Sequence, residues 1–272
     1  MSKRCVNIWR GQLVSPHNLT TLNVPHQVRD LLTAYFWSGD AIRSRRVSDI
    51  VLTGTVDVPV PPARLLADWE REISSRLVLE AGDVEAMPLA RARARWPDYT
   101  RCVQAASDWT CALGLPGVLV SSDVALMACR GAKYHHDGGP YGSAAFCNLF
   151  LSEDRDLDLH FPSIDYRIPL TRGTVVIFDT GQPHGVIQRG SSGFNVADFA
   201  ADRDCTQVFL TWELHIEDAH VAHALGVAFD VGPSTSLPLV NEQNEEQNEE
   251  QICVNGARAT VCPDSGRWCP VD

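Results

Sequence analysis

Apolar residues recur at helical spacing in the first part of the chain. Residues 24–37 and 62–79 place apolar side chains three and four positions apart, which predicts an amphipathic helix in each stretch. Pro62 suits the first turn of the second helix, because the first N–H groups of a helix have no partner within it. Thr100 is predicted to cap a third helix. Residues 1–117 are therefore expected to combine helices with short strands.

The pattern changes between about residues 118 and 216. Short apolar runs there are rich in β-branched and aromatic residues, and glycine, proline and aspartate separate them. Several short strands with turn signals between them are typical of a β-sandwich or a barrel. The runs lie at 118–120, 125–129, 145–151, 157–161, 174–178 and 207–212.

A third pattern begins after Gly232. Residues 241–251 contain only Asn, Glu and Gln, and such a segment cannot bury enough apolar surface to fold alone. Beyond it, Asn255-Gly256 lies between two strand-like arms, which predicts a β-hairpin. We expect this hairpin to dock on the body of the protein or on a second subunit, and in the latter case to form a homodimer.

These patterns divide the chain into three parts. We expect a support region at residues 1–117, a catalytic core at residues 118–232, and a linker with a Cys-containing hairpin at residues 233–272. The expected fold class is α+β and mainly β, with the N-terminal helices flanking the strands.

Composition narrows the function classes. The chain of 272 residues carries a formal net charge of −11, and nucleic-acid binding needs a basic surface instead. No apolar run approaches the roughly 18 residues that cross a bilayer, and no export signal follows Met1. The nine cysteines include no CxxC pair. We therefore expect a cytoplasmic protein with reduced thiols and with neither nucleic acid nor membrane as a partner.

Two histidines and one aspartate form the candidate for chemistry. His135 and Asp137 project from one face of an extended strand, because side chains alternate with a period of two, whereas His136 points away. His184 follows another strand, 47 residues after Asp137. Two imidazoles and one carboxylate are the facial triad of non-haem Fe(II) oxygenases. The sequence predicts His135, Asp137 and His184 as metal ligands.

One other interpretation of the histidines stays open, and a second one fails. His135-His136-Asp137 as a solvated turn, with His184 structural, is the alternative to a metal site. His220 and His223 have helical spacing but lack the acidic residue of a HExxH zinc site.

The segments around these ligands resemble a known family. In this order, residues 128–137, 148–154, 157–162, 169–179, 182–186 and 208–212 are similar to the core segments of 2-oxoglutarate-dependent dioxygenases of the prolyl-hydroxylase-like branch. The resemblance implies a double-stranded β-helix, a jelly-roll or cupin-like barrel. It also implies Fe(2+) as the cofactor, with 2-oxoglutarate and O2 as cosubstrates.

The chain departs from this family at one position. Members place an arginine or lysine at the start of the last core strand, where it binds the distal carboxylate of 2-oxoglutarate; here that position holds Thr206. We expect Arg203, with Thr206 as a hydroxyl partner, to take this role. Arg189 is the second candidate, and Lys133 is a third. Asn148 is expected to contact cosubstrate or substrate.

The implied activity is hydroxylation, or another oxidation, of an unactivated C–H bond. We expect a small-molecule substrate such as an amino acid or a natural-product intermediate, and no catalytic residues beyond the metal ligands. The presence of Asp137 argues against an iron halogenase, in which a small residue vacates that place for halide. The alternatives are a peptide or protein hydroxylase of the same superfamily and a non-catalytic, cupin-like metal- or ligand-binding protein.

Overall fold

The computed structural model describes residues 6–9, 32–200, 202–231 and 251–270. These residues form a mainly β structure of three antiparallel sheets with a few helices. The helices are α1 (Ala63–Glu72), α2 (Leu89–Arg95), α3 (Tyr99–Ala112) and α4 (Ala219–Leu225). No helix within the described ranges is both long and apolar enough to cross a bilayer.

The first sheet has seven strands, and the second has four. The first runs in the order β1 (Val6–Trp9), β4 (Val51–Thr55), β11 (Thr174–Asp179), β8 (Ala144–Phe150), β13 (Gln207–His215), β6 (Val124–Cys129) and β5 (Val84–Met87). The second runs in the order β10 (Tyr166–Pro169), β9 (Leu157–Phe161), β12 (His184–Gln188) and β7 (Ala132–His135).

The third sheet joins the C-terminal strands to β2 and β3. It runs in the order β16 (Trp268–Pro270), β15 (Ala257–Val261), β14 (Gln251–Val254), β2 (Leu32–Ser38) and β3 (Ala41–Arg46). The C-terminal strands therefore pair with β2 of the same chain, Ile252 opposite Ala34.

Strands β6 to β13 pass back and forth between the first two sheets. β6, β8, β11 and β13 belong to the seven-stranded sheet, whereas β7, β9, β10 and β12 belong to the four-stranded one. Because side chains alternate along a strand, one face of each sheet packs against the other sheet. Phe150, Phe178 and Phe209 of the first sheet share one buried cluster with Leu159 and Phe161 of the second.

The opposite face of the seven-stranded sheet packs against the helices. Leu149 and Leu210 alternate with the residues of the inner face and lie in a second buried cluster with Trp109 of α3 and Leu65 of α1. The helices thus cover one side of the first sheet, and the second sheet covers the other.

Several predicted elements are confirmed. The helix expected in residues 62–79 is α1, which continues into a π-helical turn, Ile73–Leu77. The predicted strands within 125–129, 145–151, 157–161, 174–178 and 207–212 are β6, β8, β9, β11 and β13. The C-terminal hairpin is also present, and its turn residues Asn255 and Gly256 have positive φ angles of 51° and 85°, as a two-residue hairpin turn requires.

Three local predictions are wrong. Residues 32–37 belong to strand β2 rather than to a helix, because β3 and β14 pair with it on either side, whereas residues 24–31 lie outside the described ranges. Helix α3 begins at Tyr99 with Asp98 as its N-cap residue, so Thr100 lies inside the first turn. Residues 118–120 form a turn rather than a strand.

Candidate metal centre

The structure brings the three predicted metal ligands together. His135 ends β7 and His184 begins β12, and these residues are direct neighbours across the two strands. Asp137 follows two residues after His135, and its Oδ1 lies 3.6 Å from His135 Nε2. Its Oδ2 lies 3.4 Å from His184 Nε2. One ligand atom from each of the three residues lies within 4.8 Å of the other two.

A glycine allows the two histidine strands to approach each other. The pairing of β7 and β12 is irregular between His184 and Val186, and Gly185 lies at this irregularity. A Cβ atom at Gly185 would lie 2.8 Å from the Tyr134 ring, closer than Cβ atoms pack in folded proteins. Glycine at this position therefore lets β12 lie close enough to β7 for the two imidazoles to meet.

Backbone carbonyls fix the orientation of both imidazoles. His135 Nδ1 lies 2.7 Å from the carbonyl oxygen of Lys133, and His184 Nδ1 lies 3.0 Å from that of Gln182. Because a carbonyl oxygen only accepts hydrogen bonds, each Nδ1 carries the proton and donates. Each neutral imidazole then has its lone pair on Nε2, the nitrogen that faces Asp137, which is the orientation that metal-binding histidines adopt.

The electrostatics of the cluster favour a bound cation. Burial and the neighbouring His135 hold the pKa of His184 well below its ordinary value, so this imidazole is neutral and able to ligate. Burial raises the pKa of Asp137, an effect that His135 and His136 oppose. A partly buried carboxylate beside the neutral His184 ring favours a nearby cation, and a divalent metal would supply that charge.

The centre is open to solvent on one side and lined by aromatic rings on the other. The His135 side chain is 38% exposed, whereas that of His184 is 8% exposed. The ring centroid of Phe178 lies 4.7 Å from that of His184, and that of Phe161 lies 6.1 Å away. Phe146 extends this aromatic wall from Phe178. The site is thus accessible, with a dry inner wall.

The inner face of the seven-stranded sheet carries unpaired polar atoms near this wall. Asn148 on β8 and Thr211 on β13 are cross-strand neighbours. Asn148 Oδ1 and Thr211 Oγ1 are buried, and neither has a hydrogen-bond partner within the described part of the chain. Buried polar atoms ordinarily have partners. Their position between the sheets leaves two polar atoms with hydrogen-bonding capacity on this inner face.

The predicted cosubstrate residues lie in different environments. Arg189 pairs with Asp154 at 2.9 Å and with Asp158 at 3.0 Å, and Arg203 lies 3.3 Å from Asp156. Carboxylates therefore occupy both guanidinium groups, and the structure does not bring them to the histidines.

Thr206 and Asn148, the two polar residues expected to contact 2-oxoglutarate or substrate, differ in their position relative to the inner face of the seven-stranded sheet. Thr206 precedes β13 and alternates with Phe209, the inner-face residue, whereas Asn148 is buried on the inner face. Lys133 has an exposed side chain, and its carbonyl oxygen accepts from His135.

Sequence reasoning missed Thr211 and Gln207. Both lie an even number of residues from Phe209 and share its inner face of β13, so the period of two along this strand is the signal that could have found them. Gln207 is buried and donates to the carbonyl oxygens of Glu153 and Leu170.

Comparison with known proteins gives partial structural matches. No family model matches the chain, and no curated protein matches it in sequence. The chain is similar to a Pseudomonas putida prolyl-4-hydroxylase (15% identity, 56% of this chain and 84% of that chain, TM-score 0.31). It is also similar to the viral collagen prolyl hydroxylase of Paramecium Bursaria Chlorella virus-1 (10% identity, 59% and 95% covered, TM-score 0.33).

A third similar structure is the non-heme alpha ketoglutarate dependent carbocyclase SnoK from nogalamycin biosynthesis. It shares 9% identity over 63% of this chain and 85% of that chain, with a TM-score of 0.33. Because all three TM-scores lie below 0.5, the functional argument depends on the geometry of the site itself.

Proposed function

We propose that the chain is a non-haem Fe(II)- and 2-oxoglutarate-dependent oxygenase with its catalytic core in residues 118–232. The proposed core fold is a double-stranded β-helix. In support of it, strands β6 to β13 pass repeatedly between two antiparallel sheets that pack face to face, with only β9 and β10 consecutive in one sheet. The metal cluster lies at one end of this pair of sheets, where β7 ends and β12 begins.

The donor set carries this proposal. One ligand atom each of His135, His184 and Asp137 lies within 4.8 Å of the other two, and the Asp137 carboxylate lies 3.6 and 3.4 Å from the two Nε2 atoms. The Nδ1 hydrogen bonds leave both Nε2 atoms free to ligate. Three such donors occupy one face of an octahedral ion and leave three positions for other ligands. Bound iron, with 2-oxoglutarate and O2, would supply the chemistry that oxidises an unactivated C–H bond.

The rest of the chain positions ligands and excludes water. Lys133 and Gln182 hold the imidazole protons on Nδ1. The aromatic wall of Phe146, Phe161 and Phe178 keeps the inner side of the centre apolar, which favours chemistry that water would quench. The open side beside His135 admits a small-molecule substrate, for which we propose an amino acid or a natural-product intermediate.

We assign the distal carboxylate of 2-oxoglutarate to neutral donors. Strands β8, β11 and β13 contain no lysine or arginine, so their inner faces offer no cation. The Thr211 hydroxyl is unpaired there and able to donate to a carboxylate. The NH2 group of its neighbour Asn148 is the second neutral donor on this face.

Anaerobic titration with Fe(II) and then 2-oxoglutarate tests the proposal. We expect a visible metal-to-ligand absorption band in the native protein and none in His184→Ala. Arg203→Ala is the matched control, and it should keep the band because Arg203 pairs with Asp156 away from the centre. Stoichiometric metal binding without the band would contradict the oxygenase and favour a metal-binding module.

A further inference from the structure

One ion pair is completely buried beside the metal centre. Arg45 of β3 and Asp179 of β11 have side chains that are 0% exposed, and two hydrogen bonds of 2.6 and 2.9 Å join them. Arg45 Nε also donates to the carbonyl oxygen of Gly142 at 2.8 Å. The carboxylate of Asp179 accepts from the backbone N–H groups of Ser48 and Gly181 as well. The pair thus connects three separate segments of the chain, at residues 45–48, 142 and 179–181.

The turn that contains Asp179 is hydrogen-bonded to two of the metal ligands. The carbonyl oxygen of Thr180 accepts from the N–H of Asp137 at 2.8 Å. The carbonyl oxygen of Gln182 is the partner of His184 Nδ1 at 3.0 Å. Residues 179–182 therefore hold the backbone of one ligand and the ring of another.

A second set of bonds ties this turn to the loop after Asp137. The Thr180 hydroxyl shares its one proton between the carbonyl oxygens of Tyr141 and Ala144, at 2.7 and 2.8 Å. Arg45 reaches the same loop through Gly142. Arg45 thus binds the loop that follows Asp137, and Asp179 belongs to the turn that precedes His184.

Stability alone does not account for a charged pair at this position. Taking two charges out of water costs much of what their attraction returns, and apolar replacements of equal volume are often as stable. What an apolar pair lacks is the planar, two-bond geometry that fixes direction. The two-bond geometry of the Arg45–Asp179 pair therefore suits a place where the direction of neighbouring chain segments must be fixed.

We propose that Arg45 and Asp179 are positioning residues of the metal centre. They lock the turn at residues 179–182 against the loop at residues 137–144, and this sets the separation of the Asp137 carboxylate and the His184 ring. The proposal rests on the metal site proposed above and adds the residues that shape it. Neither residue touches metal or substrate.

The test measures Co(II) affinity from visible absorption together with unfolding by urea. Asp179→Asn keeps the shape of the side chain and removes its charge, and we expect Co(II) binding about 10- to 100-fold weaker, as for other groups that orient metal ligands. The double variant Arg45→Met/Asp179→Leu restores apolar packing. We expect it to be more stable than Asp179→Asn while its Co(II) affinity stays equally weak.

Asp68→Asn is the matched control. Asp68 is a buried carboxylate of α1 that pairs with Arg95 and Arg71, outside the three sheets. Its substitution should lower stability and leave Co(II) affinity unchanged.

The outcomes separate the two proposals. Wild-type affinity in the double variant, or an equal loss in Asp68→Asn, overturns the positioning role and leaves the metal site intact. A native protein that binds no Co(II) overturns the metal site, and the positioning role with it.

Discussion

The indole ring of Trp268 lies against the imidazole of His136, with ring centroids 5.3 Å apart. Two residues before His136, on β7, the N–H of Tyr134 donates to the carbonyl oxygen of Pro263 at 2.9 Å. Because residues 134 and 136 alternate with the two ligands of this segment, the C-terminal segment supports the side of the chain that faces away from the metal centre.

Removing the Trp268 ring should therefore weaken the fold. A fully buried tryptophan costs about 3–5 kcal/mol when truncated to alanine, and Trp268 is half-buried, so we expect Trp268→Ala to lower the free energy of unfolding by about 1–2 kcal/mol. Urea denaturation measures this change.

Trp268→Phe is the companion variant. It keeps an aromatic ring against His136 and removes a buried indole N–H that has no hydrogen-bond partner in the described part of the chain. We expect it to retain most of the stability. Equal losses in both variants would show that the ring contact does not stabilise the C-terminal segment.

Metal binding should stabilise the protein against heat. A ligand that binds only the folded state, at about 100 times its Kd, adds about 2.7 kcal/mol. For a chain of this size that corresponds to a rise in Tm of roughly 5–10 °C. Thermal unfolding with Co(II), compared with EDTA, measures the shift. His184→Ala should show no difference between the two conditions, and a shift of native size in that variant would remove His184 from the ligand set.

Thr211 and Thr206 give opposite predictions for the cosubstrate. Losing a hydrogen bond to a charged group costs about 1.5–3 kcal/mol, so Thr211→Val should weaken 2-oxoglutarate binding by roughly 10-fold or more. Thr206→Val should change it little, because Thr206 alternates with the inner-face residues. Calorimetric titration of the Co(II)-loaded protein measures both. A larger loss of affinity in Thr206→Val than in Thr211→Val would assign the carboxylate-binding role to Thr206, as the sequence predicts.

The sequence was most informative where the structure depends on local spacing. His135 and Asp137 are separated by one residue on an extended segment, so their common direction follows from the period of two alone. The same period describes the inner face of β13 through Phe209 and Thr211. Such patterns are complete within a few residues, and they predicted the strands and the ligand cluster.

Long-range pairing explains what the sequence did not reveal. Arg45 lies in a stretch with three arginines at residues 43–46, and only the folded chain brings it to Asp179, 134 residues away. Residues 32–37 have helical spacing, yet β3 and β14 pair with them, and this pairing outweighs local preference. In both cases the pairing partner lies elsewhere in the chain, so the local sequence does not predict it.

His160 should make the fold sensitive to acid. It is buried on β9 and lies 2.5 Å from the Tyr134 hydroxyl through Nδ1, and burial, aided by the charge of Arg167, lowers its pKa from 6.5 to about 4. The unfolded chain therefore takes up this proton first as the pH falls. The contribution of His160 is complete above pH 6.5 and is lost progressively between pH 6.5 and about 4, up to about 3 kcal/mol.

His160→Gln isolates this effect from the other acid-sensitive groups. The variant lacks the titrating ring, so its free energy of unfolding should fall less steeply than that of the native protein as the pH is lowered from 6.5 to 4. Urea denaturation of both proteins at a series of pH values, with EDTA present, gives the two slopes. Parallel curves would show that His160 titrates normally in the folded protein, and that Tyr134 and the surrounding strands do not keep it neutral.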